Sequence, residues 1–216
     1  MAGLVFCGLM EREAQAQVVP DGPYSAQVDA GLTVGNHEAL ASGFELGWWL
    51  RKDLKIFAEA NWMLNVASSD LDARAGIIAE AIGGTAAMEA HVTIVDLGVR
   101  YAFRAPSFLS LDTLQPFVLA GAGIARFEAR PSFTVGGTDV TSTLFDTYRA
   151  RLGLDLDGYL TKAVFVVGGG ATMPLTSRYF IEGSVRYGHI FPRKAVIAND
   201  TATPTTRFQA SFGARF

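Results

Sequence analysis

A two-residue period governs what this chain can become. Its last ten residues read RFQASFGARF. Phe208, Ala210, Phe212, Ala214 and Phe216 share one face of an extended strand, and Arg207, Gln209, Ser211, Gly213 and Arg215 share the other. The alternation recurs upstream. Tyr179, Ile181, Gly183, Val185 and Tyr187 oppose Glu182, Ser184 and Arg186. Leu54, Ile56, Ala58, Ala60, Trp62, Leu64 and Val66 oppose Lys55, Phe57, Glu59, Asn61, Met63 and Asn65. Phe44, Leu46, Trp48 and Leu50 oppose Glu45, Gly47 and Trp49; Val95, Leu97, Val99, Tyr101 and Phe103 oppose Asp96, Gly98 and Arg100. Ala26, Val28, Ala30, Leu32 and Val34 oppose Gln27, Asp29 and Thr33. The run 115–129 alternates more loosely, with Phe117, Leu119 and Phe127 opposite Arg126 and Glu128, and 162–174 is apolar on both faces. A helical period is nearly absent.

These runs predict eight strands, near 24–35, 40–50, 54–66, 90–103, 115–129, 162–174, 178–191 and 205–216. Short connections at 51–53 and 175–177 and a moderate one at 104–114 interleave with long ones at 67–89, 130–161 and 192–204. An even number of strands with alternating short and long connections suits an up-and-down antiparallel barrel. Within the second connection, Ala75–Ile82 reads either as a short helix or as part of a hairpin turning at Gly83-Gly84. That hairpin would lengthen the third and fourth strands.

The two faces differ in charge. One is almost uncharged over about nine to eleven residues per strand, the length that crosses a bilayer at a tilt. The other carries Asp29, Glu45, Lys55, Glu59, Asp96, Arg100, Glu182, Arg186, Arg207 and Arg215. A soluble barrel would put its polar face in water and fill it with lysine. Here arginine dominates, and its planar fork suits pairing with buried carboxylates. An eight-stranded barrel is just wide enough to be filled by side chains. The reading is therefore a transmembrane barrel whose lumen is plugged by an internal charge network. Arg207 and Arg215 are expected to turn towards carboxylates such as Glu182 or Asp29. Trp48, Trp62, Tyr101, Phe103, Phe117, Phe127, Tyr179, Tyr187 and Phe216 are expected to form two interfacial girdles. With no apolar run of about 20 residues, a spanning helix is excluded.

The terminal RFQASFGARF, the preceding RYFIEGSVRYGHIF and the eight-strand layout resemble the small outer-membrane β-barrel proteins of Gram-negative bacteria, the OmpA/OmpX-like group, over residues 24–216. The resemblance implies an outer-membrane location with both termini in the periplasm. It implies outer-membrane lipids and lipopolysaccharide as surroundings, and Phe208, Phe212 and Phe216 as a signal read by the barrel-assembly machinery. Residues 1–16, ending in Ala14-Gln15-Ala16, read as a signal-peptide remnant, leaving 17–216 as the barrel domain. The expected role is structural or adhesive, through loops 67–89 and 130–161, which would meet extracellular ligands. The alternatives are a narrow pore or conduit for small hydrophobic molecules, and a lipid-modifying enzyme.

Other chemistries find little purchase. The net charge of −3 offers no basic footprint for nucleic acid. Gly121-Ala122-Gly123 and Gly168-Gly169-Gly170 lack the third glycine and the crossover helix of a dinucleotide site. Asp155, Asp157 and Gly158 resemble part of a calcium loop, but Val164 stands where the closing Glu belongs. His37, His91 and His189 fall near the long connections, and a set drawn from Ser42, Glu38 and His37 or His91 has no recognisable nucleophile motif. Arg193-Lys194 could meet lipopolysaccharide phosphates. No cofactor and no metal is expected.

Overall fold

The computed structural model describes residues 22–34, 38–103, 114–154, 156–193 and 200–216. The expectations placed on residues 1–16, His37, Asp155 and Lys194 lie outside them. The described residues form nine strands: β1 (Tyr24–Val34), β2 (Ala39–Trp49), β3 (Leu54–Met63), β4 (Thr85–Ala102), β5 (Gln115–Val135), β6 (Thr138–Asp139), β7 (Gly158–Pro174), β8 (Tyr179–Ile190) and β9 (Thr203–Arg215). Eight of them pair in the order β1-β2-β3-β4-β5-β7-β8-β9, every pair antiparallel. β9 returns to β1, with Val28 opposite Phe212. The chain is a closed, eight-stranded, up-and-down transmembrane β-barrel. β6 is only a two-residue arm folded back on the tip of β5.

Closure gives the terminal strand a partner on each side. Phe216 donates its N–H to the carbonyl of Tyr24 at 3.0 Å and accepts from the Tyr24 N–H at 3.1 Å. The two rings lie 6.3 Å apart. The last strand therefore has partners on both edges, and no unpaired ladder remains to fray or to template association.

The outer wall is an apolar belt. Leu97 is 66% exposed, Val28 and Leu40 62%, and Phe208 and Phe212 50%. A soluble protein rarely shows so continuous an apolar surface, whereas hydrocarbon is its natural solvent. Trp48, Tyr101, Phe103, Tyr179 and Phe216 lie exposed at the short-connection end, and Trp62 and Tyr187 towards the other. Phe117 and Phe127 correct the expected girdles. They are only 1% and 6% exposed, because β5 turns them into the lumen while Arg126 points outward. The register of β7 places Lys162, Val164, Val166, Gly168, Gly170 and Thr172 on the inner face. The lumen beside β5 and β7 is therefore packed with apolar side chains, among them Met63, Ile94, Leu119 and Val166.

The ambiguous segment after β3 is a helix, α1 (Ser69–Ala81). Ser68 caps it by accepting from the Leu71 N–H, and Asp70 and Asp72 sit in the first turn, where the helix dipole favours acids. Gly83, at φ +70°, takes the left-handed conformation that ends it. The lengthened hairpin exists as well, but it is built from β4 and β5, which stay paired from Ala102–Phe117 up to Thr85–Thr134. Loops 67–89 and 130–161 are thus largely regular structure. Ala75 and Ala79 let α1 lie close on this extension. They form a second core with Met88, Ala90, Ala129, Phe133, Leu144 and Leu156, the last two from the segment holding the short helix α2 (Leu144–Tyr148). Among the described residues, no helix is long and apolar enough to cross a membrane.

Candidate functional site

The inner wall carries like charges side by side. Glu45 of β2 lies directly opposite Glu59 of β3, and Glu59 opposite Asp96 of β4. On the far wall, Arg186 of β8 lies opposite Arg207 of β9. Like charges facing each other in a flat sheet repel. Curling the sheet into a barrel sets the acid ladder across the lumen from the arginine ladder.

The clamp centres on Arg186, which is fully buried. Its Nη2 lies 3.1 Å from Glu45 Oε2 and 3.8 Å from Glu182 Oε1, and its Nη1 meets Glu59. Arg207 Nη1 donates to Glu59 Oε1 at 3.3 Å. Lys55 donates to Glu45, and Asn61 to Glu59. Arg100 Nη1 donates to Glu182 Oε2 at 2.5 Å and its other amino group to Thr172. Gln209 Nε2 donates to Asn61 Oδ1 at 2.7 Å, so strands from both walls join in one network. Asp29 accepts from Gln27 at 3.2 Å. Asp96 is 1% exposed, beside Glu59, and no described side chain donates to it. Five acids and five bases, all of the charged inward residues singled out by the alternation, are at most 5% exposed. Breaking one such buried pair would leave an uncompensated charge, which costs about 3–5 kcal/mol.

Arg215 departs from expectation. It is not paired with Glu182 or Asp29 but lies over aromatic rings, 5.7 Å from that of Trp49 and 5.2 Å from that of Phe180. Lys55 and Arg100 flank the same Trp49 ring at 5.6 and 5.9 Å, and Arg100 also stacks 3.5 Å above Phe117. Rings and cations therefore alternate at the short-connection end, an arrangement worth more where water is excluded. Sequence reasoning missed Trp49 as a network residue, although it shares strand parity with Glu45. At the opposite mouth, Lys162 Nζ lies 2.6 Å from Asp200 Oδ1, a pair hidden in the sequence because Asp200 belongs to no strand.

No protein-family model and no curated protein matches this chain. Solved structures do. A major outer membrane protein from Thermus thermophilus superposes with a TM-score of 0.53 at 11% identity, covering 89% of this chain and 98% of that one. Neisserial surface protein A superposes at 0.52 and 12% identity, over 89% and 96%. The fold is that of a small outer-membrane barrel. At such identities the likeness concerns fold alone.

The remaining candidates do not converge. Ser42 and His91 project outward from β2 and β4 with β3 between them, and His37 lies outside the described residues. His189 projects outward too, stacked on Phe165 at 5.4 Å. Gly121-Ala122-Gly123 and Gly168-Gly169-Gly170 lie inside β5 and β7 rather than at a strand-to-helix turn. Among the described residues, no cluster of His, Cys, Asp and Glu is arranged to hold a metal.

Proposed function

We propose that this chain is an integral outer-membrane protein whose barrel is a sealed anchor rather than a channel. In this reading both termini lie in the periplasm. The α1–β4–β5 extension projects from the cell to serve envelope integrity or adhesion. The observation that carries the reading is the cross-lumen clamp of Arg186 with Glu45, Glu59 and Glu182. It occupies the width that an ion would need. The apolar packing beside β5 and β7 supports the same reading, because it fills that side of the lumen with side chains. The apolar belt supports insertion as strands, and Phe208, Phe212 and Phe216 on that belt are the residues we assign to the barrel-assembly machinery.

Two measurements test it. Detergent extraction from outer-membrane fractions, with heat-modifiable gel migration, checks the membrane barrel. Retention of the folded chain in the aqueous fraction would overturn it. Planar-bilayer recording of the reconstituted protein checks the seal. Steady open steps would overturn the sealed reading in favour of a narrow pore.

A further inference from the structure

Within the belt the outward positions are uncharged, but the first positions above it on β5 and beyond β8 are arginines. Arg126 follows Ile124 on the outer face of β5, and Arg193 follows Phe191 just past β8. The two flank one residue of β7. Arg126 is the register partner of Thr161, and Arg193 Nη1 donates to the Thr161 carbonyl at 3.2 Å. Both side chains are exposed, and among the described residues neither guanidinium makes an ion pair.

The surroundings keep them free. Arg126 lies 4.5 Å from the Tyr159 ring, which holds its guanidinium against the wall. The nearest acid on β5, Glu128, is taken by Arg130, whose Nε donates to it at 2.8 Å, and by the Tyr159 hydroxyl at 3.2 Å. Asp200 is turned inward to Lys162 and to the Arg193 backbone N–H. Directly below, towards the belt, Phe165, His189 and Phe191 form an aromatic platform with centroids 5.0–5.8 Å apart. Cations above an aromatic and aliphatic floor match a molecule with phosphate above and acyl chains below.

We propose that Arg126 and Arg193, above the Phe165–His189–Phe191 platform, bind the phosphate of a lipid headgroup in the leaflet at the long-connection end. The site rests on the outer-membrane reading given above. A guanidinium meets phosphate through charge-assisted bonds, and two of them, one on each side of β7, grip it without either leaving the wall. The floor distinguishes a lipid from a free anion, because only a lipid buries its chains against the platform.

The test is titration of the full chain, refolded in neutral maltoside micelles, with bisphosphorylated lipid A, followed by native mass spectrometry. Parallel arms use lipid A stripped of both phosphates and inorganic phosphate alone. Saturable binding of the bisphosphorylated lipid is expected, weakened at least about tenfold by phosphate removal or by R126Q/R193Q. Inorganic phosphate should not bind saturably in the same range. Heat-modifiable migration verifies that the variant folds, and R126K/R193K, which keeps both charges, should recover part of the affinity. Equal binding by the stripped lipid, by free phosphate or by the glutamine variant would overturn the site. If the wild-type chain gives no heat-modifiable barrel, the membrane reading itself fails and takes the site with it. If the barrel is intact and does not discriminate, the site alone fails.

Discussion

Arg186 on β8 and Glu45 on β2 meet across the barrel at 3.1 Å, although 141 residues separate them in the chain. Each has a like-charged residue directly beside it in its own wall, Arg207 for Arg186 and Glu59 for Glu45. Forming the ladders before closure costs repulsion, and closure offsets it with attraction from the opposite wall. The pairing thus makes the open sheet unfavourable and the closed barrel favourable at once.

Replacing Arg186 by Met should therefore be severe. It removes the partner shared by Glu45, Glu59 and Glu182 and leaves carboxylates in a closed space. A loss of about 3–5 kcal/mol is expected, read as a lower urea midpoint in micelles. Neutralising Glu59 in the same chain (E59Q) should recover part of that loss. A midpoint unchanged by R186M would mean that the clamp contributes nothing.

On the outer wall, Leu97 offers the sharpest test of what surrounds the barrel. It is 66% exposed and lies between the equally outward Val95 and Val99. In water, Leu97→Arg would be nearly neutral. In a bilayer it should cost about 2–4 kcal/mol near the midplane. Comparing refolding of L97R in liposomes with its refolding in micelles measures the difference, and equal stability with wild type in liposomes would contradict a lipid-facing belt.

The second core should come apart without the first. Phe133 is fully buried among Ala75, Ala79, Met88 and Leu144, a cluster separate from the luminal one. Phe133→Ala is expected to weaken this extension by about 3–5 kcal/mol. Amide exchange should rise in α1 and at the tips of β4 and β5, while exchange in β1, β8 and β9 stays slow. Uniform loosening of all the strands would show instead that the extension and the barrel unfold as one unit.

Phe216 tests the assembly assignment apart from stability. Its ring packs only at the wall, against Tyr24, so Phe216→Asn should leave the detergent-refolded barrel close to wild type. In cells the same change should lower the amount of heat-modifiable protein several-fold. Equal accumulation of both chains would remove the assignment.

Much of the architecture is legible in the chain because strand parity is a local property. Glu45, Gly47 and Trp49 must share a face whatever β2 pairs with, and Arg207 and Arg215 must point away from Phe208 and Phe216. Parity loses its force where the contrast between faces vanishes. In β7 both faces are apolar and in β5 the alternation is loose, so Phe117 and Phe127 resembled girdle aromatics when they are luminal. The same blindness hid the second core. Its alanines sit at positions where small size, rather than hydrophobicity, lets α1 approach β4, and no periodicity reports that.

The amino-acid order by itself determined the eight strands, most of their inward and outward faces, and the balance of acid and base on the inner wall. Tertiary structure alone decided the partners. Glu59 faces Arg186 and Arg207 rather than its neighbour Asp96, and Arg215 lies over Trp49 and Phe180 rather than against an acid. The reason is geometric. Alternation says which side of a sheet a charge is on, but the distance across the lumen exists only once β9 has closed on β1.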